Sequence, residues 1–228
     1  MAGGYSHADI TESGNGVRAG LDTLRIAGYG ARQAGPVTLA ATLGYAYDFL
    51  SMKRSFGALG SAKGSGHGHE LNAGLQVSHA WQLGLATLTP RLGLRYAYLN
   101  GLQLTESGPT AQNLGVGKQA LHSLQPYLGL TLDYPFSLRN SKRPASIQLR
   151  VGYAYETQGR GRTVPVTAAD GTGFAIAGTR DARGMLTAGL GTTLPIGKST
   201  NAYVRYDAWL HTGNVSAQSL QAGVDYRF

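Results

Sequence analysis

The sequence contains no cysteine, few charged residues and no long apolar run. Of its 228 residues, 14% are charged and 42% are hydrophobic, and the mean hydropathy is −0.15. A helix that crosses a membrane needs about 20 consecutive apolar residues, so the sequence excludes a helical membrane protein. The low charge is equally unusual for the surface of a soluble domain. The absence of cysteine fits passage through an oxidising compartment such as the bacterial periplasm.

Hydrophobic residues instead alternate with small or polar ones. The clearest stretch has apolar side chains at every second position, namely Val37, Leu39, Ala41, Leu43, Tyr45, Tyr47 and Phe49. Thr38, Thr42 and Gly44 are typical of the residues between them. This period of two predicts β-strands with one apolar and one polar face. Because the polar positions are mainly Gly, Ala, Thr, Ser and Gln rather than Lys and Glu, they fit the narrow lumen of a membrane barrel better than the solvent face of a soluble sandwich.

The alternation predicts ten strands and one domain over residues 1–228. The strands lie approximately at 3–11, 17–33, 36–51, 69–83, 86–104, 118–136, 145–157, 180–195, 200–211 and 217–228. The second strand is the least regular, since Leu24 and Ile26 have one parity and Ala27 and Tyr29 the other, which a β-bulge or a misread pattern would explain. We predict an all-β fold, a transmembrane antiparallel up-and-down β-barrel.

Connection lengths and aromatic residues predict how such a barrel is oriented. The connections at 33–35, 84, 137–144 and 195–199 would be periplasmic, and those at 53–68, 106–117 and 157–179 would be the longer extracellular loops. Aromatic residues near both ends of the strands predict two girdles at the membrane surfaces. They are Tyr45, Tyr47, Phe49, Trp81, Tyr96, Tyr98, Tyr134, Phe136, Tyr153, Tyr155 and Tyr226.

Charged residues with the parity of the polar face are expected to line the lumen. They are Arg91, Arg95, Arg150, Arg205, Arg227, Asp48, Glu70, Asp133, Glu156, Asp207 and Asp225. We expect opposite charges to offset one another. Hydration of the lumen and fixing of strand register explain these residues as well as a direct role in transport does.

Further cations fall in or near the predicted extracellular loops and contribute to a net charge of +8. They are Lys53, Arg54, Lys63, Arg160, Arg162, Arg180 and Arg183. We interpret them as a solvated rim or one that binds the phosphates of lipopolysaccharide. No basic helix or aromatic-basic motif indicates a nucleic acid partner.

Two groups of residues could suggest a catalytic or a metal site, and neither is convincing. Asp207 and His211 would share a lumen face, as in ten-stranded omptin-type proteases, but their spacing differs from the omptin Asp-x-His arrangement. His67 and His69, followed by Glu70, lie in a predicted Gly-rich loop with no third ligand indicated. We therefore predict no catalytic, metal or cofactor site.

The C-terminal segment 220–228 alternates apolar residues and ends in Val224, Tyr226 and Phe228. This pattern resembles the insertion signal of bacterial outer-membrane barrels, which the barrel assembly machinery reads. That resemblance implies the bacterial outer membrane as the location of the chain.

The whole chain resembles the autotransporter β-domain family. The resemblance is carried by Gly4-Tyr5-Ser6-His7, by Arg25-Ile26-Ala27-Gly28-Tyr29-Gly30 before a Gly-Pro turn, by Leu43-Gly44-Tyr45, by the segment 89–99 and by the terminal Gly-Val-Asp-Tyr-Arg-Phe. In that family a twelve-stranded barrel encloses a helix and exports a passenger polypeptide. The resemblance implies secretion and surface display of a passenger, without bond chemistry.

Aligned on that family, the chain corresponds to strands three to twelve. We expect the linker helix and the first two strands to be absent, and we expect no signal peptide to begin at Met1. An even number of strands would still allow the ten to close on themselves. A standalone porin or adhesin barrel, and less favourably an omptin-like protease, are the alternatives.

Overall fold

A computed structural model describes most of the chain as one antiparallel β-sheet of fifteen strands. The described residues are 1–12, 16–101, 103–109, 112–118, 120–138, 143–158, 163–178, 182–211 and 216–226. The strands are β1 Ala2–Thr11, β2 Val17–Ala34, β3 Val37–Ser55, β4 Ser61–His79, β5 Trp81–Leu83, β6 Ala86–Asn100, β7 Leu104–Ser107, β8 Leu114–Val116, β9 Ala120–Phe136, β10 Ala145–Tyr155, β11 Thr163–Ala168, β12 Gly173–Ala177, β13 Gly184–Pro195, β14 Thr200–His211 and β15 Ser216–Tyr226. In the described part, no helix has the length and apolarity needed to cross a membrane.

Ten long strands follow one another in an up-and-down order, as the alternation predicts. Each pairs with the next in the order β1, β2, β3, β4, β6, β9, β10, β13, β14, β15. The short strand β5 pairs with β6 beyond the end of β4. Every pairing is antiparallel, because two-residue or longer turns return the chain beside itself. The prediction of an antiparallel up-and-down fold is confirmed.

The register of β2 is unbroken, which excludes a β-bulge and leaves a misread pattern as the explanation of its irregular alternation. Every residue of β2 from Val17 to Ala34 has a partner in β3. Leu24 and Ile26 therefore share the face of their partners Tyr47 and Tyr45, while Tyr29 lies on the opposite face. A tyrosine on the polar face is what disturbed the alternation.

Connections at one end of the sheet, here called the short-turn end, are mostly tight. The two-residue turns at 35–36 and 84–85 each begin with a glycine of positive φ, Gly35 at 60° and Gly84 at 64°. A type II′ hairpin turn needs this conformation at its first central residue. The connections at 137–144 and 196–199 lie at the same end.

The opposite end, called the long-loop end, contains strands where the sequence predicts loops. β3 and β4 continue to Ser55 and from Ser61, so most of the predicted loop 53–68 is strand. The predicted loops 106–117 and 157–179 contribute β7, β8, β11 and β12, which extend the sheet from β4 in the order β4-β7-β8-β11-β12. Together with the ends of β3 and β4, these four strands extend the sheet at the long-loop end and are here called the β-extension.

The sheet has no hydrophobic core of the kind found in soluble proteins. Among the described residues, no large side chain is fully buried, and the buried apolar residues are mostly alanines. Leu104 and Val166 are the exceptions, and both lie in the β-extension. The apolar side chains of the long strands are therefore turned outward rather than packed against one another.

Candidate functional site on the two faces of the sheet

One face of the sheet is a continuous apolar surface. A single row of paired residues crosses eight strands. It begins at Arg32 and continues, one residue per strand, through Leu39, Val77, Leu92, Leu128, Tyr153, Leu186 and Leu210. Cross-strand partners point to the same side of a sheet, so these side chains form one band. Leu92 and Leu128 are each 59% exposed. Water cannot solvate such a large apolar band without cost, whereas a lipid bilayer can cover it.

All eleven residues of the predicted aromatic girdles lie on this apolar face. Their registers connect them to the band, for example through Tyr45, Leu71 and Tyr98 on neighbouring strands. Tyr45, Tyr47 and Phe49 lie toward the long-loop end, and Trp81, Tyr134 and Tyr226 lie toward the short-turn end. Trp81 is 49% and Tyr226 is 62% exposed. Amphipathic rings in these positions suit the boundary between lipid and water.

Histidines accompany the aromatics at the long-loop end. Tyr45 Oη lies 2.5 Å from His69 Nδ1, and Tyr96 Oη lies 2.9 Å from His122 Nδ1. His67 stacks on Tyr47, with ring centroids 6.0 Å apart. His67 and His69 are therefore strand residues of β4, and the prediction that His67 lies in a loop is wrong. Glu70 points to the opposite face, and within the described residues no three His, Asp or Glu side chains are grouped as a metal site requires.

The opposite face is polar and is lined by glycines that leave room for long side chains. Gln76, Gly93 and Tyr127 are partners on three consecutive strands, and Tyr127 Oη donates to Gln76 Oε1 at 2.8 Å across the glycine. A Cβ atom on Gly93 would lie 2.5 Å from the Tyr127 ring. Gly93 thus leaves room for the side chain of a neighbouring strand to reach over it.

An ion pair also reaches across a glycine on the strand between its two members. Arg150, Gly189 and Asp207 are partners on β10, β13 and β14, and Arg150 Nη2 lies 2.8 Å from Asp207 Oδ1. The side chains are 18% and 28% exposed. Asp207 is thereby held by a guanidinium rather than by a histidine. The side chain of His211, its partner in the protease alternative, lies outside the described residues.

The other predicted lumen charges lie on the polar face but pair with each other only in part. Among the acids, Glu70 lies 3.5 Å from Arg25, a residue not among those predicted to line the lumen. Asp48 is 3% exposed and accepts a hydrogen bond from Thr23 Oγ1 at 2.6 Å, and Asp133 accepts one from Gln148 at 2.7 Å. Neutral donors, not cations, satisfy these two carboxylates.

Three of the predicted lumen arginines contact neutral groups rather than carboxylates. Arg91 donates to Thr131. The guanidinium of Arg95 lies 4.3 Å from the ring centroid of Tyr127, and that of Arg205 lies 4.8 Å from the ring centroid of Tyr203. Cation–π contacts hold a charged group in place without neutralising it. The polar face therefore keeps a positive character along β6 and β14. Arg227 lies outside the described residues.

Glu156 joins β9 to the loop that follows β10. Its carboxylate accepts hydrogen bonds from Ser123 Oγ, Gln125 Nε2 and the backbone N–H groups of Leu124 and Gln158. Partial burial raises the pKa of Glu156, but these donors outweigh it, and the pKa lies below the usual value for a glutamate. Glu156 therefore stays charged and ties the start of the loop to the sheet.

A second ion pair, which the sequence gives no means to find, fixes the β-extension. Arg54 forms a two-point contact with Glu106, with Nη2–Oε2 at 2.6 Å and Nε–Oε1 at 3.1 Å. Glu106 is 5% exposed and also accepts from the backbone N–H of Leu114 at 2.9 Å. Leu104 packs over Gly64, where a Cβ atom would lie 2.7 Å from it. Arg54 is thus a structural residue rather than part of an exposed rim.

The remaining cations of the predicted rim lie in different parts of the sheet. Lys53 and Lys63 lie in β3 and β4, not in a loop, and both are exposed on the apolar face. Arg183 lies against Tyr155, with 6.0 Å between the guanidinium and the ring centroid. Arg160, Arg162 and Arg180 lie outside the described residues.

Strand β15 places two residues of the predicted insertion signal on the apolar face. Val224 pairs with Ala202, Tyr226 pairs with Thr200, and the two are 63% and 62% exposed. Phe228, the third residue, lies outside the described residues. Within the described part of the chain, β15 has a strand partner on one side only, namely β14.

Comparison with known proteins agrees with this geometry. Residues 1–207 match the family model of the autotransporter β-domain. The fold is similar to the translocator domain of the autotransporter NalP from Neisseria meningitidis, with a TM-score of 0.74 and 25% identity over 95% of this chain and 70% of that one. It is also similar to the transport unit of the autotransporter AIDA-I from Escherichia coli, with a TM-score of 0.60 and 16% identity over 99% of this chain and 74% of that one.

A comparison with curated protein sequences gives no significant match. The family model nevertheless covers most of the chain, and it agrees with the two-faced sheet described above. The resemblance seen in the sequence is confirmed: the chain belongs to the autotransporter β-domain family and is a transmembrane β-barrel of the kind that supports passenger secretion.

Proposed function

We propose that this chain acts in the bacterial outer membrane as one barrel domain, residues 1–228, which exports a passenger polypeptide to the cell surface. The observation that carries the proposal is the pairing of an exposed apolar face with a polar face of small residues on the same strands. In lipid, only a structure that satisfies all its backbone hydrogen bonds internally is stable. The long strands between β1 and β15 have a partner on each side and fulfil this condition, and closure of the barrel would fulfil it for β1 and β15.

The lumen we propose is the polar face. Its glycines and threonines give a passing chain few apolar groups to adhere to, and its charged groups keep it hydrated. Arg91, Arg95 and Arg205 are held by neutral partners, so they remain available to water and to an unfolded chain in transit. Arg150 with Asp207 fixes the wall between β10 and β14 instead. We propose the remaining predicted acids, Asp48, Glu70, Asp133 and Glu156, as structural members of the same wall.

Assembly would depend on the last strand. Val224, Tyr226 and Phe228 form the signal that we propose the barrel assembly machinery recognises. Two of these side chains are exposed on the apolar face, where a second protein can reach them before lipid does. The aromatic residues at both ends of the strands would then set the depth of the barrel in the bilayer. Lipopolysaccharide is the expected neighbour on the long-loop side, which we assign to the cell exterior.

We propose that the barrel itself catalyses no reaction. Asp207 is the carboxylate that an omptin-like mechanism would need, and its Oδ1 is already engaged by Arg150 Nη2 at 2.8 Å. A general base needs a substrate proton within hydrogen-bond reach and an accessible lone pair. Peptide cleavage by the refolded protein that is lost in Asp207→Ala or His211→Ala would contradict this part of the proposal.

Surface display provides the direct test of the export function. A signal peptide and an epitope-tagged reporter are fused before Met1, and the fusion is produced in a Gram-negative host. We expect the reporter to be cut by protease added to intact cells and the barrel to fractionate with the outer membrane. Deletion of residues 216–228, which removes β15, is the control and should abolish both results.

Two outcomes would contradict the proposal. A barrel that inserts in the outer membrane while the reporter stays in the periplasm would favour a standalone porin or adhesin. Conductance in planar bilayers would then identify an open channel. A chain that never reaches the outer membrane would overturn the localisation itself.

A further inference from the structure

Three cations lie side by side on the lipid-facing side of the sheet, near its long-loop end. Arg18 in β2 pairs in register with Lys53 in β3, and Lys53 pairs with Lys63 in β4. All three are exposed. Because adjacent strands are about 4.8 Å apart, the row is roughly 10 Å wide. We call this set the basic row.

The basic row is not neutralised by the protein. No ion pair involves Arg18, Lys53 or Lys63 within the part of the chain that the structure describes. The nearby acids on the same face are already engaged, since His7 lies 3.2 Å from Asp9 and 2.7 Å from Asp22. Like charges placed directly opposite one another on neighbouring strands are destabilising. An anion bound from outside would remove that repulsion.

Hydroxyl groups surround the basic row. Thr11 pairs with Arg18 at one end, and Ser107 pairs with Lys63 at the other. The next row on the same face, one step closer to the membrane, contains Ser51, Ser65 and Thr105. Together with His7 and Asp9, these side chains line a cleft of about 860 Å³. Lysine, arginine and hydroxyl donors converging on one cleft are the groups that bind phosphate.

The position of the cleft along the strands indicates the kind of phosphate. Lys53 lies four residues beyond Phe49 of the aromatic girdle, on the same face, which is about 13 Å farther along the strand. Below the girdle the face is apolar and is covered by acyl chains. A ligand that fills the cleft therefore presents its phosphates just above the aromatic level while its hydrophobic part continues down the wall. An amphiphile with several phosphates fits this arrangement better than a soluble anion.

We infer that Arg18, Lys53 and Lys63 form a binding site for the phosphates of lipopolysaccharide on the outer wall of the barrel. This inference rests on the proposed location in the outer membrane, with the long-loop end outside, because lipopolysaccharide forms the outer leaflet there. It goes beyond the general basic rim expected from the sequence, since it assigns three residues and excludes Arg54, which is committed to Glu106 on the opposite face.

Binding of lipopolysaccharide to the purified, refolded full chain in detergent tests the inference. The variant R18Q/K53Q/K63Q removes the basic row, and the variant R32Q/K118Q/K198Q removes three exposed cations elsewhere with the same change in net charge. We expect the first variant to bind lipopolysaccharide at least tenfold more weakly and the second to bind like the wild type. Lipopolysaccharide stripped of its phosphates should bind the wild type as weakly as intact lipopolysaccharide binds the first variant.

Folding of each variant is checked by resistance to SDS before heating, because an unfolded variant would lose binding for another reason. If the first variant does not fold, the single charge reversal Lys53→Glu replaces it, and the same tenfold loss is expected. Without lipopolysaccharide, Lys53→Gln should have a higher denaturation midpoint than the wild type, because the repulsion within the basic row is relieved. With lipopolysaccharide, the wild type should have the higher midpoint. Equal binding by the wild type and the row variant, or tight binding of the stripped lipid, would overturn the site.

Failure of this site and failure of the export function give different results. Loss of lipopolysaccharide selectivity with normal surface display of a fused reporter would contradict only the site. Selective binding in detergent together with no display in cells would contradict the export function and leave the site standing. Vesicles of phosphatidylglycerol, used in place of lipopolysaccharide, should bind the two triple variants equally well. Weaker binding of these vesicles to the basic-row variant would mean that the row binds any anionic lipid, and would overturn the assignment to lipopolysaccharide.

Discussion

Arg150 and Asp207 form an ion pair across an entire intervening strand, and Gly189 is the residue that allows it. The three are in register on β10, β13 and β14, and Arg150 Nη2 lies 2.8 Å from Asp207 Oδ1. A Cβ atom on Gly189 would lie 2.9 Å from Arg150 Nε. The wall of the barrel is therefore fastened by contacts between alternate strands as well as by the hydrogen bonds between neighbours.

Asp207→Ala should destabilise the barrel. It leaves the partly buried Arg150 guanidinium without its carboxylate, and the loss of a charged hydrogen-bond partner costs on the order of 1–3 kcal/mol. The measurement is the free energy of unfolding in urea, with the protein refolded in detergent or lipid. Asp225→Ala is the control, because Asp225 lies on the same face and forms no ion pair among the described residues. Equal stability of the two variants would show that the ion pair contributes nothing.

Gly93→Ala should destabilise the barrel through a steric clash with Tyr127. Overpacking of this kind costs roughly 1–3 kcal/mol, and the same unfolding measurement detects it. Adding Tyr127→Ser should recover the part of the loss that comes from the ring, while the backbone oxygen of Leu75, 2.6 Å from the added Cβ, accounts for the rest. Gly4→Ala is the matched control on the polar face, since no atom lies within 4 Å of its added Cβ. A double variant no more stable than Gly93→Ala would contradict the packing explanation.

Stability should fall in acid, partly through Glu156. Its pKa is lower in the folded chain than the usual 4.5, because hydrogen bonds to its carboxylate outweigh burial. A lowered folded pKa gives stability that is present above the unfolded value and is lost as pH falls through the folded value. Glu156→Gln should therefore be less stable than the wild type at pH 7, and the difference should shrink as the pH falls below about 4. A difference that is constant with pH would contradict this role.

The long strands could be predicted from the sequence because each membrane-spanning residue faces either lipid or the lumen. This requirement imposes strict alternation on segments such as 37–49, and the register of β3 confirms it. Tyr29 shows the limit of the rule. A lumen can hold a large aromatic side chain, so the polar face does not exclude one, and the alternation in β2 is interrupted without any break in the pairing.

The strands of the β-extension could not be predicted, because beyond the membrane no alternation is required. Lys53, Lys63 and the glycines at 64, 66 and 68 read as a loop, yet they pair as regular strand. Strands β7 and β8 have only four and three residues, and their position depends on the contact between Arg54 and Glu106. Such a contact joins residues 52 positions apart, and nothing in the local sequence indicates it.

The absence of native cysteine makes the central claim directly measurable. Single cysteines at Ser219, Leu220, Gln221 and Ala222 of β15 sample the two faces alternately. The barrel is reconstituted in lipid vesicles, and each variant is treated with a charged maleimide that cannot enter the bilayer. A lipid-soluble quencher then acts on a fluorophore attached at each position in a separate sample.

We expect the cysteines at 219 and 221 to react rapidly with the charged reagent and to resist the lipid-soluble quencher. Those at 220 and 222 should show the reverse, since Leu220 is 74% exposed on the face that we assign to lipid. Equal reactivity at all four positions, or lipid contact at 219 and 221, would contradict the assignment of the apolar face to the membrane and of the polar face to the pore.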